Sequence, residues 1–319
     1  MYREHQKNEY LNHILDNGEK YISNMRSLFQ SLQEIEESTG KDFCEFTQAE
    51  AKKALASISS RKKATNAWSI TALRDYINWC ILNSKTPLNE NVLDRVRISQ
   101  VDNSMALKQE TVPNIEYLIR ILEEGLPEIN EDLSMNTIYK AYSLLLFFGF
   151  SEQEIVSMTK QEAEKWLNGS LHYGNKIIPL HPVLKKYLDK ILDYDEIVWI
   201  KGKGVVCYKK LIGGNQLIGA VYNLEGRISN FRNVLSKLNR SYAAETGKSI
   251  KLSVRRIFES GIYYRLLQKE LIEGALTELM MNEAFSMDRS KYKNDISYQN
   301  QLINLRDDYS AWKKAWSYE

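Results

Sequence analysis

The sequence predicts a mainly α-helical protein with a small β-sheet, arranged as two domains. Three observations carry that expectation. Apolar residues recur at i, i+3, i+4 and i+7 through most of the chain. Only five prolines stand among 319 residues, so little interrupts long helices. Strand-like runs are short and few, chiefly "KIIPL" and "EIVWI".

In the first hundred residues, "YLNHILDNGEKYISNMRSLFQSLQEI", "TQAEAKKALASI" and "ATNAWSITALRDYINWCIL" all show helical spacing, and "TPLNENVLDRV" closes the set. These predict a small helical domain over residues 1–103. The polar stretch "ISQVDNSMALKQETVPN" lacks strong periodicity and ends at Pro113, which places a linker at 104–113. The second domain then runs from 114 to 319. It resumes with "IEYLIRILEEGL", followed by "MNTIYKAYSLLLFFGFSEQEIVSMTKQEAEKWL", which reads as a buried helix, a turn and a second helix. Next comes a short hairpin whose second strand is Lys176 to Leu180, then a helix opening near Pro182. The strand "EIVWI" at 196–200 leads into the Gly- and Lys-rich "KGKGVVCYKKLIGGNQ". Neither "KGKG" nor "GG" has the GxxxxGK spacing that lets backbone amides surround a phosphate. "GRISNFRNVLSKLNRSYAAETG" and three further helices complete the domain.

With 43% hydrophobic residues the chain can bury a substantial core. The stretch "YREHQKNEY" after Met1 is wrong for a secretory signal, and the longest apolar run, "LLLFFGF", is too short to span a bilayer. The expected compartment is therefore the cytoplasm. Cys44, Cys80 and Cys207 stand far apart and suggest neither a disulfide framework nor a cysteine zinc site.

Net charge is +2, yet residues 201–256 hold 12 Lys and Arg against 2 Asp and Glu, while the rest of the chain sums to −8. A localised polyanion-binding surface produces such asymmetry. The basic stretch ends in "KLSVRRIFESGIYY", where Ser253 is the expected N-cap and Val254, Ile257, Phe258 and Gly261 form one buried face. Cations in the first turn of a helix are disfavoured by a few tenths of a kcal/mol each, and an anion reverses that sign.

The order of these elements resembles the tyrosine recombinase (phage integrase) family. The features that carry the likeness are a small helical domain, the "LLLFFGFSEQEIVSMT" helix pair, the "IIPLHPVLKKYL" hairpin and an arginine-led helix. "RKKATNAWSITALRDYINWC" is similar to the helix pair with which the family's core-binding domain grips DNA. The resemblance implies a core-binding domain followed by a catalytic-like domain. In the family a tyrosine attacks a DNA phosphate, two arginines stabilise the developing charge, and a lysine and histidines move protons.

The family's chemistry is largely missing here. Ser151 stands where the first arginine belongs, and a hydroxyl cannot replace a bidentate cation. The His-x-x-Arg box falls on "LSVR", which keeps Arg255 but has Leu252 in place of the histidine. Glu283 occupies the next His or Trp position, and Tyr292 falls at the nucleophile. Lys176 lies nearest the family's lysine, whereas "KGKG" follows the wrong strand. Independently of register, the four histidines are at 5, 13, 172 and 181, so the last 138 residues have none. Each lost transition-state donor costs about a hundredfold to a thousandfold in rate.

The resemblance therefore implies a catalytically inactive relative that binds double-stranded operator DNA as a transcriptional repressor, keeping prophage lysis genes silent near the nucleoid of a bacterial host. No cofactor or metal is implied. Expected backbone contacts are Lys176, Arg227, Arg232, Lys237, Arg240, Lys248, Lys251, Arg255 and Arg256. Arg61, Lys62, Lys63, Thr65 and Asn66 are the expected base readers. Tyr292 reads as a vestige, a phosphate hydrogen-bond donor or a surface tyrosine. The tail spaces Leu302, Leu305, Tyr309, Trp312 and Trp316 as a stripe, for packing on its own domain or for self-association. Two alternatives stay open: an active divergent recombinase using Tyr292, and a helical protein-binding adaptor.

Overall fold

The chain divides into two units, one built on Met1–Leu107 and the other on Lys108–Trp316. The structure, a computed structural model, describes residues 1–60, 62–126, 134–166, 170–173, 176–201, 205–210, 215–218, 224–287 and 289–318. The side chains of residues 166, 171, 173, 176–179, 199–201, 209 and 224–230 lie outside that description.

The first unit holds α1 (Glu4–His13), α2 (Glu19–Thr39), α3 (Gln48–Ser57) and α4 (Lys63–Leu82). The long first pattern breaks at Gly18, and α2 ends at Gly40, whose φ of 68° is a left-handed cap that costs glycine nothing. Thr47 and Glu50 form a capping box that starts α3, worth about 1 kcal/mol. Tyr10, Phe29, Phe43, Leu73, Tyr76 and Ile77 pack into one core. Within it Lys7 pairs with Glu36 and lies 3.6 Å from Asp42, which accepts a 2.9 Å hydrogen bond from the Tyr76 hydroxyl.

"TPLNENVLDRV" is not the helix its spacing suggests. The Asn91 side chain donates to the Arg74 carbonyl (2.8 Å) and accepts from the Leu93 amide (3.0 Å), so side chain and backbone compete with the helix ladder. Arg74 in turn donates to the Leu93 carbonyl at 3.0 Å, and Leu93 and Val96 are buried under this loop. The segment read as a linker contains a short helix, α5 (Ser104–Glu110).

The second unit is organised around α7 (Ser134–Phe147), which is buried almost all round, as a helix apolar on every side must be. Packed around it are α6 (Ile115–Gly125), α10 (Pro182–Leu192) and α12 (Val254–Glu273), with α11 (Leu224–Thr246) resting on α6. The turn after α7 needs Gly149 at φ 96°. A Cβ there would lie 2.7 Å from the guanidinium of Arg265, which donates to the Phe147 carbonyl at 2.6 Å. The "SEQEIVSMTKQEAEKWL" helix is broken into α8 (Glu152–Ser157) and α9 (Lys160–Trp166). Between them the backbone turns aside to pair with residues 215–217, through Leu217 N to Met158 O (2.8 Å) and Lys160 N to Asn215 O (2.6 Å).

The first hairpin is formed by β1 (Ser170–Tyr173) and β2 (Lys176–Pro179), one residue shorter than read. "EIVWI" becomes β3 (Glu196–Lys201), and it finds an antiparallel partner in β4 (Val205–Lys210), inside the Gly- and Lys-rich stretch that had no strand assigned. α13 (Glu278–Ala284) and α14 (Asp295–Ala315) follow. The tail stripe packs in its own unit: Tyr309 and Trp312 are buried, and the Trp312 indole donates to the Val112 carbonyl at 3.2 Å. Among the described residues no helix is long and apolar enough to cross a membrane.

Candidate nucleic-acid interface

The basic stretch is set by α11. Phe231, Val234, Leu235, Leu238 and Tyr242 face the core, and Phe231 stacks on Tyr142 with centroids 3.7 Å apart. That leaves Arg232, Lys237 and Arg240 exposed, within an arc of roughly 140° on the outer face. Beyond α11 the exposed Lys248 and Lys251 lead to α12, which Ser253 caps as expected by accepting from the Arg256 amide at 3.4 Å.

Leu252, expected at the family's histidine position, is buried, and Asn239 fixes the backbone around it. The Asn239 amide donates to the Leu252 carbonyl (2.9 Å) and accepts from the Leu252 amide (3.1 Å). This position is thus part of the core. Sequence reading missed Asn239, because a side chain that clamps a residue thirteen positions away leaves no local signal.

The two arginines of α12 have different surroundings. Arg255 keeps its side chain 70% exposed while its Nε donates to Glu259 at 2.8 Å. Arg256 is only 20% exposed and spans Glu259 (3.0 Å) and Glu110 (2.9 Å). The expectation of a phosphate contact therefore needs correcting at Arg256: two carboxylates already satisfy its fork, which ties α5 to α12. Arg232 donates to Glu152 at 2.9 Å, and Glu152 also accepts from the Tyr142 hydroxyl at 3.0 Å. Hydrogen bonding and charge from Glu152 raise the Arg232 pKa, while burial and Glu152 raise that of Tyr142. Leu146, Ser151, Glu152, Arg232, Arg255 and Phe258 line a cleft of about 390 Å³. Tyr292 is not among the described residues lining it. The Tyr292 ring meets Tyr298 edge-on at 5.5 Å, and Glu283 pairs with Lys269 at 3.0 Å.

In the first unit, Lys62, Lys63 and Thr65 are exposed at the start of α4. Thr65 lines a groove of about 510 Å³ with Asn24, Ser27, Ser31, Trp68 and Ser69. Asn66 departs from its expected role: it is buried, and its amide accepts from the Ser60 N–H and donates to the Ser60 carbonyl, both at 2.7 Å. Both groups that would read an adenine edge are engaged in holding the preceding loop. Arg61 and the side chains of Lys176 and Arg227 lie outside the described residues.

A family model described as the MrpR N-terminal core-binding domain matches residues 1–82. No curated protein matches. Among solved structures, one described as the crystal structure of XerA recombinase aligns over 94% of this chain and 96% of its own, at 12% identity and a TM-score of 0.36. The first unit is thus similar to a core-binding domain, and among the described residues the fold is mainly α with two small antiparallel hairpins.

Proposed function

We propose that this protein is a sequence-specific DNA-binding repressor of tyrosine recombinase descent, of the kind represented by the SPβ-type prophage master repressor, and that it exchanges no strands. The observation that carries this reading is the set of outward cations Lys237, Arg240, Lys248, Lys251 and Arg255 on one stretch of the second unit. They accompany a first unit similar to a core-binding domain. Phosphate contacts of this kind hold a protein on the duplex, and operator choice is left to the exposed start of α4 and the groove beside it.

Support for the loss of chemistry comes from the residues around Arg255: a serine at 151, a core leucine at 252 and no histidine after 181. Tyr292 is engaged with Tyr298 and stands apart from the cleft lining. In this reading occupancy of an operator excludes polymerase and keeps lysis genes silent.

The test has two parts. Genome-wide mapping of bound sites should recover discrete operators beside prophage genes, and supercoiled DNA carrying such a site should yield no covalent tyrosyl adduct. Adducts that vanish in Tyr292→Phe would establish an active recombinase instead. Absence of duplex binding at physiological salt would favour a protein-binding adaptor.

A further inference from the structure

We propose that the cleft beside Arg255 is an anion site whose occupant is internal: the carboxylate of Glu152 takes the place of a phosphate, so DNA stays outside the cleft, where the 70% exposed side chain of Arg255 meets its backbone. This rests on the DNA-binding reading for its consequence, though not for its test. Two guanidiniums line the cleft, from Arg232 on α11 and Arg255 on α12, and neither helix is adjacent to α8 in sequence. Glu152 lines it with them and is largely covered, its side chain 18% exposed. One of its oxygens accepts from Arg232 Nη2 at 2.9 Å and the other from the buried Tyr142 hydroxyl at 3.0 Å.

A phosphodiester and a carboxylate present the same charge and the same pair of acceptors to a guanidinium. The tethered carboxylate never leaves, so it excludes a free or backbone phosphate by occupancy and by like-charge repulsion. The capping box of α8 is formed by Ser151 and Glu154, with contacts at 2.7 and 3.2 Å, and does not engage the Glu152 carboxylate. Its side chain is therefore available to serve the cleft. The remaining cations are balanced likewise, Arg255 by Glu259 and Arg256 by Glu259 and Glu110. Among the described residues lining the cleft, Glu152 is the carboxylate whose removal leaves room and an uncompensated guanidinium, that of Arg232, in the same cleft.

The experiment compares the full chain with Glu152→Gln and Glu152→Ala, after circular dichroism has shown both variants folded. Inorganic phosphate is titrated while the melting temperature and heat of binding are followed. Both variants should bind phosphate on the order of tenfold more tightly than the parent, the gain expected from one new charge-assisted contact. A further Arg232→Gln change should reverse the gain, since Arg232 is the guanidinium that Glu152 balances. Equal phosphate affinity in parent and variants overturns the proposal, as does a gain that survives Arg232→Gln. Duplex binding is measured alongside: if the parent binds no duplex the DNA-binding reading fails, and the phosphate titration still decides the role of Glu152.

Discussion

At the scale of single residues, two neighbouring arginines separate recognition from structure. Arg255 is largely exposed and has one carboxylate partner, whereas Arg256 is mostly covered and has two. Arg255→Ala should weaken binding to every duplex and reduce the magnitude of the salt slope by about 0.9, one counterion's worth, as read by fluorescence anisotropy over a salt series. Arg256→Ala should instead lower stability by roughly 1–3 kcal/mol, because it leaves Glu110 and Glu259 without their shared cation, and urea unfolding reads that loss. Asn66 makes the same distinction in the first unit. Asn66→Ala removes two 2.7 Å hydrogen bonds to Ser60 and should destabilise by about 1–3 kcal/mol. Selection of binding sites from a random duplex library should return the parent's preference unchanged.

At the scale of elements, what could be read from the sequence depended on whether the cause was local. The start of α12 was legible because Ser253, the apolar spacing and Gly261 all lie within nine residues. Gly261 is buried against α7, where an added Cβ would run into the Phe147 carbonyl. β4 was not legible, because "VVCYKK" is flanked by Gly and Lys and leaves Val205, Val206 and Tyr208 exposed, so its strand character comes from pairing with β3. The break between α8 and α9 likewise depends on residues 215–217, which lie far along the chain. The tail stripe was legible as a stripe but not as to its partner, and the structure places that partner in α12. Glu270 of α12 accepts from the Tyr309 hydroxyl (2.6 Å) and from Lys313 (3.0 Å) of α14. Burial alone would raise the Glu270 pKa, but these two donors outweigh it and hold the carboxyl below its ordinary value of 4.5. A carboxyl depressed in the folded state stabilises fully above the unfolded pKa, and that contribution is lost as pH falls through the folded one. Melting temperature should therefore drop more steeply below about pH 4.5 in the parent than in Glu270→Gln, which scanning calorimetry across pH 3–7 would measure.

At the scale of the whole molecule, a nearly neutral chain carries a concentrated positive stretch. A polyanion responds to where the charge sits more than to its sum. Lys237, Arg240 and Lys248 contribute to that stretch without lining the cleft around Glu152, and none of the three pairs with a carboxylate in the described ion pairs. If each meets one phosphate, replacing all three by Gln should flatten the plot of log affinity against log salt by about 2.7 units, since each neutralised phosphate contributes roughly 0.9. Loss should be uniform across operator and random duplexes, because backbone contacts carry no base information. The fold should be unaffected, since all three side chains are exposed. An unchanged slope in the triple variant would move the DNA-facing surface elsewhere on the chain, and a loss confined to the operator would make these side chains readers of sequence instead of holders of the backbone.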